Sequence, residues 1–125
     1  MAIPENFKYS KDHEWVKVEG NIGLVGITDH AQSALGDIAY VDIAESVTST
    51  VCGESFGTIE AVKAVSDLIA PITGKILEIN TALNDDPSVV NTDPYGAGWM
   101  IKVELSNPSE LNDLMDAAAY QTFIK

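Results

Sequence analysis

The chain has 125 residues, 19 acidic side chains against 7 basic ones, and a formal net charge of −12 at pH 7. This length fits one domain with room for a core that needs neither disulfides nor metal. The acidity argues against nucleic-acid binding, which needs Lys and Arg to neutralise phosphates, and against an anionic membrane surface. Cys52 is the single cysteine, so no intrachain disulfide forms; between Val51 and Gly53 it reads as a small buried residue in a strand. His13 and His30 lack partners at metal-ligand spacing, so no metal site is expected. No apolar run is long enough to span a bilayer, and the start, Met1 to Asn6, lacks the basic and apolar regions of a signal peptide. A cytoplasmic protein is the expectation.

Short strands dominate the reading. His13 to Val18, rich in β-branched and aromatic residues, leads through the turn Glu19-Gly20-Asn21 into a second strand over Ile22 to Ile27, a hairpin. Thr28 or Asp29 then caps a short helix through Ala31, Ala34 and Leu35, which Gly36 stops. Ile38 to Ile43 is a strand, and Glu45 to Thr50 a turn entering another. Val51 to Ile59 and Val65 to Ile79 flank Lys63 with near-mirror spacing, Ala70-Pro71 interrupting the second arm. Two similar arms joined at a lysine suggest two related sheets packed as a flattened barrel. Leu83 to Gly98 reads as irregular, rich in turn formers, and Trp99 to Leu105 as a strand with Trp99, Ile101, Val103 and Leu105 on one face. The tail reads as two helices: one capped by Asn107 with Pro108 at its first position, carrying Leu111, Leu114 and Met115, and one capped by Asp116. Gly26, Gly36 and Gly74 read as residues serving turns, Trp15, Tyr95 and Trp99 as anchors of the core and loops, and His30 as a space-filling helix-start residue.

Lys63 stands where a hairpin presents its tip, between Val62 and Ala64, with Glu60 upstream and Asp67 downstream. A lysine acting as a nucleophile needs burial or cationic neighbours to lower its pKa from an ordinary ~10.4, and the acidic neighbours supply the opposite. Acylation by a ligase asks instead for an exposed tip, small flanks and a rigid base. Spacing alone leaves a solvated turn lysine an equal alternative.

The run Glu60-Ala61-Val62-Lys63-Ala64, followed by Ser66-Asp67 and Pro71-Ile72-Thr73-Gly74-Lys75-Ile76, resembles the lipoyl-lysine segment of the glycine cleavage system H protein family. His13-Glu14-Trp15, Val25 to Gln32, Leu35-Gly36-Asp37, Asp93-Pro94-Tyr95-Gly96 and Gly98-Trp99-Met100 resemble that family's other signature blocks, in order and across nearly the whole chain. Ala61 departs from the family's usual serine, and Ile43-Ala44-Glu45-Ser46-Val47 replaces its usual Leu-Pro-x-x-Gly connection.

The resemblance implies a single lipoyl-carrier domain over residues 1–125. Its fold would be mainly β, a flattened barrel-sandwich hybrid of the lipoyl/biotinyl kind with a short internal helix and C-terminal helices. It implies a non-catalytic monomer whose cofactor is lipoate in amide linkage to Lys63. The implied partners are a pyridoxal-phosphate glycine decarboxylase, an aminomethyltransferase using tetrahydrofolate, dihydrolipoyl dehydrogenase, and a lipoate ligase or lipoyl transferase. Glu14 and Asp67, from their places in the family-like blocks, are candidates to contact the loaded arm; solvated surface carboxylates are the alternative. An H-like relay donating lipoyl groups to other carriers is a rival, as is a biotin carrier, which Val62 and Ala64 disfavour because biotin sites resemble a lysine flanked by methionines.

Overall fold

The computed structural model describes residues 3–124, so Met1 and Ala2 of the N-terminal stretch, and Lys125, lie outside the described residues. Among the described residues, nine strands form two sheets: β1 (Lys8–Tyr9), β2 (Glu14–Glu19), β3 (Ile22–Ile27), β4 (Ile38–Asp42), β5 (Ser49–Thr50), β6 (Ser55–Ala61), β7 (Val65–Ile69), β8 (Gly74–Ile79) and β9 (Ile101–Leu105). One sheet has six strands in the order β1-β2-β3-β9-β8-β5, the other three in the order β4-β6-β7. The flattened, mainly β architecture is therefore as expected, although the two sheets are separate ladders and not two equal halves. Beyond Ala70-Pro71 the second arm leaves the sheet of β6 and β7 and joins the six-stranded one through β8.

Apolar side chains at alternate strand positions fill the space between the sheets. Val16, Val25, Ile59, Leu68, Ile72, Ile101 and Val103 are among the most buried. β2 is buried on its other face too, where Trp15 packs with Phe7, Tyr9 and Tyr120. That second cluster docks the C-terminal helix α4 (Ala117–Phe123), N-capped by Asp116, whose carboxylate accepts the Ala119 N–H at 2.8 Å. Tyr120 stacks on Tyr9 at 4.7 Å, and its hydroxyl meets His13 Nδ1 and Thr28 Oγ1, each at 2.8 Å. Trp15 Nε1–H donates to the Pro94 carbonyl, and the Tyr95 hydroxyl accepts the Asp29 N–H. The aromatic residues are anchors, as expected.

The short helix α1 (Asp29–Leu35) lies where its caps predict: the Thr28 hydroxyl accepts the Ala31 N–H, and Gly36 ends it at φ 84°. Other expectations need correction. Cys52 is exposed in a turn, with its thiol 3.4 Å from the Pro71 carbonyl; Gly53 at φ 90° makes that turn and removes the strand that would have buried it. Gly26 and Gly74 lie inside strands and serve close packing: a Cβ at Gly26 would stand 2.7 Å from the Trp15 ring, and one at Gly74 would strike the Glu104 carbonyl oxygen. The segment expected to be irregular holds two single-turn helices, α2 (Ala82–Asp85) and α3 (Val89–Thr92), which bury Leu83 and Val90. The segment Pro108–Asp113 is a 3-10 helix, and Asn107 makes no side-chain cap bond to it. Trp99 precedes β9 and joins the second cluster, while Met100 enters the main core. His30 is exposed and lies against the His13 ring at 4.7 Å, so it does not fill the interior.

Candidate functional site

β6 and β7 pair antiparallel from Ser55↔Ile69 up to Glu60↔Val65, and Ala61 N–H closes the ladder onto the Ala64 carbonyl at 2.7 Å. Val62 and Lys63 are thus the two residues of the tip. Lys63 is exposed there, with Val62 and Val65 beside it 75% and 67% exposed. Two-residue hairpin tips usually need left-handed residues such as Asn-Gly. Val-Lys offers none, and neither residue takes a positive φ. The tip is held from outside instead: Val62 N–H donates to the Asp37 carbonyl at 2.9 Å, tying it to the bend between α1 and β4. The lysine stem rests on that bend, for a Cβ at Gly36 would lie 3.0 Å from Lys63 Cε and 3.7 Å from Nζ.

Register places Tyr40, Glu60 and Val65 in one cross-strand row on the solvent face of the three-stranded sheet, and Asp42, Thr58 and Asp67 in the next. That face beside the lysine therefore carries three carboxylates, with Tyr40 45% exposed among them. Asp67 is exposed on β7, four residues beyond Lys63.

Glu14 is placed quite differently. It is 2% exposed; its carboxylate accepts the Ser10 hydroxyl at 3.0 Å and the Ile69 N–H at 3.1 Å. Burial pushes its carboxyl up to about 8 from 4.5 despite those two hydrogen bonds, and the charge of Asp12 adds to the rise. β7 thus links the three predicted site residues: Lys63 precedes it at the tip, Asp67 is in its middle, and Glu14 is bonded to its last residue. Glu14 is a buried acid and not a solvated one, which its polar sequence surroundings did not reveal. Sequence reasoning also missed Asp37 as a support of the tip, and Asn91, whose side chain bonds the Ile38 N–H and the Gly36 carbonyl on either side of it; Gly36 was legible only as a helix stop.

No group of three or more His, Cys, Asp or Glu suited to a metal occurs among the described residues. A groove of about 430 Å³ lined by Tyr9, Cys52, Ala70, Pro71 and Met115 opens at the base of the hairpin, away from the tip.

Residues 7–125 match the family described as Glycine cleavage H-protein. The chain is 54% identical to the glycine cleavage system H protein of Symbiobacterium thermophilum, covering 98% of this chain and 96% of that one. It is 52% identical to the protein of that name from Bacteroides thetaiotaomicron, over 99% and 98%. A crystal structure of a glycine cleavage system H protein from Mycobacterium marinum superposes with TM-score 0.87 at 42% identity, covering 96% of this chain and 97% of that one.

Proposed function

The chain belongs to the glycine cleavage H-protein family, and from that premise we propose that Lys63 carries its lipoyl group. The protein is the lipoyl carrier of the glycine cleavage system, working with the other components of that system and not itself catalysing. The observation that carries the reading is the hairpin tip: an exposed primary amine, flanked by small side chains, on a ladder anchored in the core. The site fits the group, since amide formation needs only an accessible amine and a firm base beneath it.

Lipoate held on Lys63 would supply a strained, reversibly reducible disulfide, the chemistry needed to carry an aminomethyl group among glycine decarboxylase, aminomethyltransferase and dihydrolipoyl dehydrogenase. This chain's residues set where such an arm can go. Lysine methylenes plus the acyl chain reach roughly 14 Å at ordinary bond lengths. Along β7, at ~3.3 Å per residue, Asp67 lies about 13 Å from Lys63 and Ile69 about 20 Å. Asp67 is therefore within the arm's reach and positioned to hold an ammonium carried at its end. Glu14, at the level of Ile69, lies beyond that reach, as does the groove at the hairpin base. Glu14 acts on the arm through the edge of β7, which its carboxylate pins.

Intact mass is the direct test. Protein incubated with a lipoate ligase, ATP and lipoate gains the mass of one lipoyl group, and Lys63→Arg gains none. A Lys63→Arg protein that still gains the group would place the attachment elsewhere, and a biotin-sized gain in cells would reassign the carrier.

A further inference from the structure

The tip that presents Lys63 has no turn chemistry of its own to fix it, so its orientation comes from the bend it leans on. That bend, Gly36 to Ile38, is itself bracketed by one side chain. Asn91, on α3, accepts the Ile38 N–H on Oδ1 at 2.9 Å and donates Nδ2–H to the Gly36 carbonyl at 2.9 Å. Its other Nδ2–H goes to Gln32 Oε1 at 2.8 Å. The two backbone groups it clamps flank Asp37, whose carbonyl receives Val62 N–H, and Gly36 supplies the surface under the Lys63 stem. Gly36 holds φ 84° and ψ −157°, a conformation essentially confined to glycine, which an unbraced chain would leave readily.

We propose that Asn91 is a positioning residue for the acylation of Lys63, setting the direction of Nζ through the Gly36–Asp37 bend without touching the lysine. The inference rests on the reading of Lys63 as the acylated residue. In the step concerned, the neutral amine attacks the carbonyl carbon of an acyl-adenylate. A C–N bond forms, the C–O bond to phosphate breaks, AMP departs, and the nitrogen sheds its proton to solvent. The attack needs Nζ presented along one approach line, and a displacement on the order of 1 Å at the reacting atom costs far more rate than affinity. Asn91 also places the hydrogen bonds of a paired strand where no strand exists, which explains why a one-turn helix that presents no ligand group of its own is kept against this bend.

The test is acylation of the full chain by a lipoate ligase with ATP and lipoate, the carrier concentration being varied. Asn91→Ala lowers kcat by about tenfold or more while KM stays within about twofold, and Val62 amide exchange quickens. Glu110→Ala, which removes two hydrogen bonds to Thr73 at the opposite end of the hairpin, serves as a comparably weakened control and keeps the wild-type rate. Asn91→Asp gives a signature that plain destabilisation does not. Its carboxylate still accepts the Ile38 N–H but sets an anion against the Gly36 carbonyl, so kcat falls at least as far as in Asn91→Ala while KM stays within about twofold. Folded Asn91→Ala protein acylated at the wild-type kcat overturns the proposal, as does an equal loss in Glu110→Ala or a wild-type kcat in Asn91→Asp. Failure of the wild-type chain to be acylated at all overturns the reading of Lys63 and this inference with it, and is distinguished by needing no variant.

Discussion

Replacing Glu14 by glutamine tests the claim that a buried acid, held neutral by burial, sits at the foot of β7. With its carboxyl raised from 4.5 to about 8, the folded chain binds this proton more tightly than the unfolded chain. The sign follows from proton linkage: the stability contributed by protonated Glu14 is fully present below about pH 4.5 and is lost as pH rises through the interval up to about pH 8. At ~1.4 kcal/mol per unit, the whole interval amounts to about 3–5 kcal/mol, a sizeable share of the ~5–15 kcal/mol that holds a domain folded. The amide in Glu14→Gln is neutral throughout and keeps a carbonyl oxygen for the Ile69 N–H, so it resembles the protonated acid at pH 5 and escapes the cost of a buried charge at pH 9. Urea unfolding from pH 5 to pH 9 should therefore show Glu14→Gln near the wild type at pH 5 and more stable by about 2–4 kcal/mol at pH 9. Taking the difference between the two proteins at each pH removes the other titrating groups, His13 included, whose pKa is lowered by burial and by His30 and acts in the opposite direction. Wild-type and variant curves that run parallel across the range would refute the reasoning.

Asp67→Ala, loaded with an aminomethyl group on its lipoyl arm, should release that group by hydrolysis several-fold faster than wild type if the carboxylate holds the ammonium; unchanged release, followed by formaldehyde and ammonia production, removes Asp67 from the site. The same assay on Glu14→Ala gives a smaller effect, since its carboxyl lies beyond the arm and is bonded to Ser10 and Ile69. Gly26→Ala should destabilise the chain by about 1–3 kcal/mol, because the added methyl meets the fully buried Trp15 ring at 2.7 Å. Tryptophan emission and the urea midpoint report it, and a wild-type midpoint would show that β3 can move away from the ring.

What could be read from the sequence was whatever local chemistry dictates. The Thr28 and Asp116 caps, the Gly36 stop and the hairpin around Gly20 each satisfy backbone groups within a few residues, so their side chains announce them. The tip itself was legible from two arms converging on Lys63. Illegible were features set by distant partners. Cys52 looked like a strand residue because its apolar neighbour did, yet Gly53 turns the chain outward there. Gly26 and Gly74 looked like turn residues because nothing nearby in sequence shows the Trp15 ring or the Glu104 carbonyl that exclude a side chain.

The same division runs through the site. A lysine between valine and alanine is visible in sequence, but that pair cannot form a self-sufficient two-residue turn, so a stable tip implies a hold from elsewhere in the chain. Sequence reasoning could have drawn that implication without knowing its source. The structure supplies it as the Asp37 carbonyl, backed by Asn91 from 28 residues downstream of Lys63. A carrier whose arm must visit several enzymes needs mobility beyond Nζ and none before it. Fixing the root of the arm by contacts outside the hairpin leaves both tip residues exposed to every partner, which a tip braced by its own side chains would not allow.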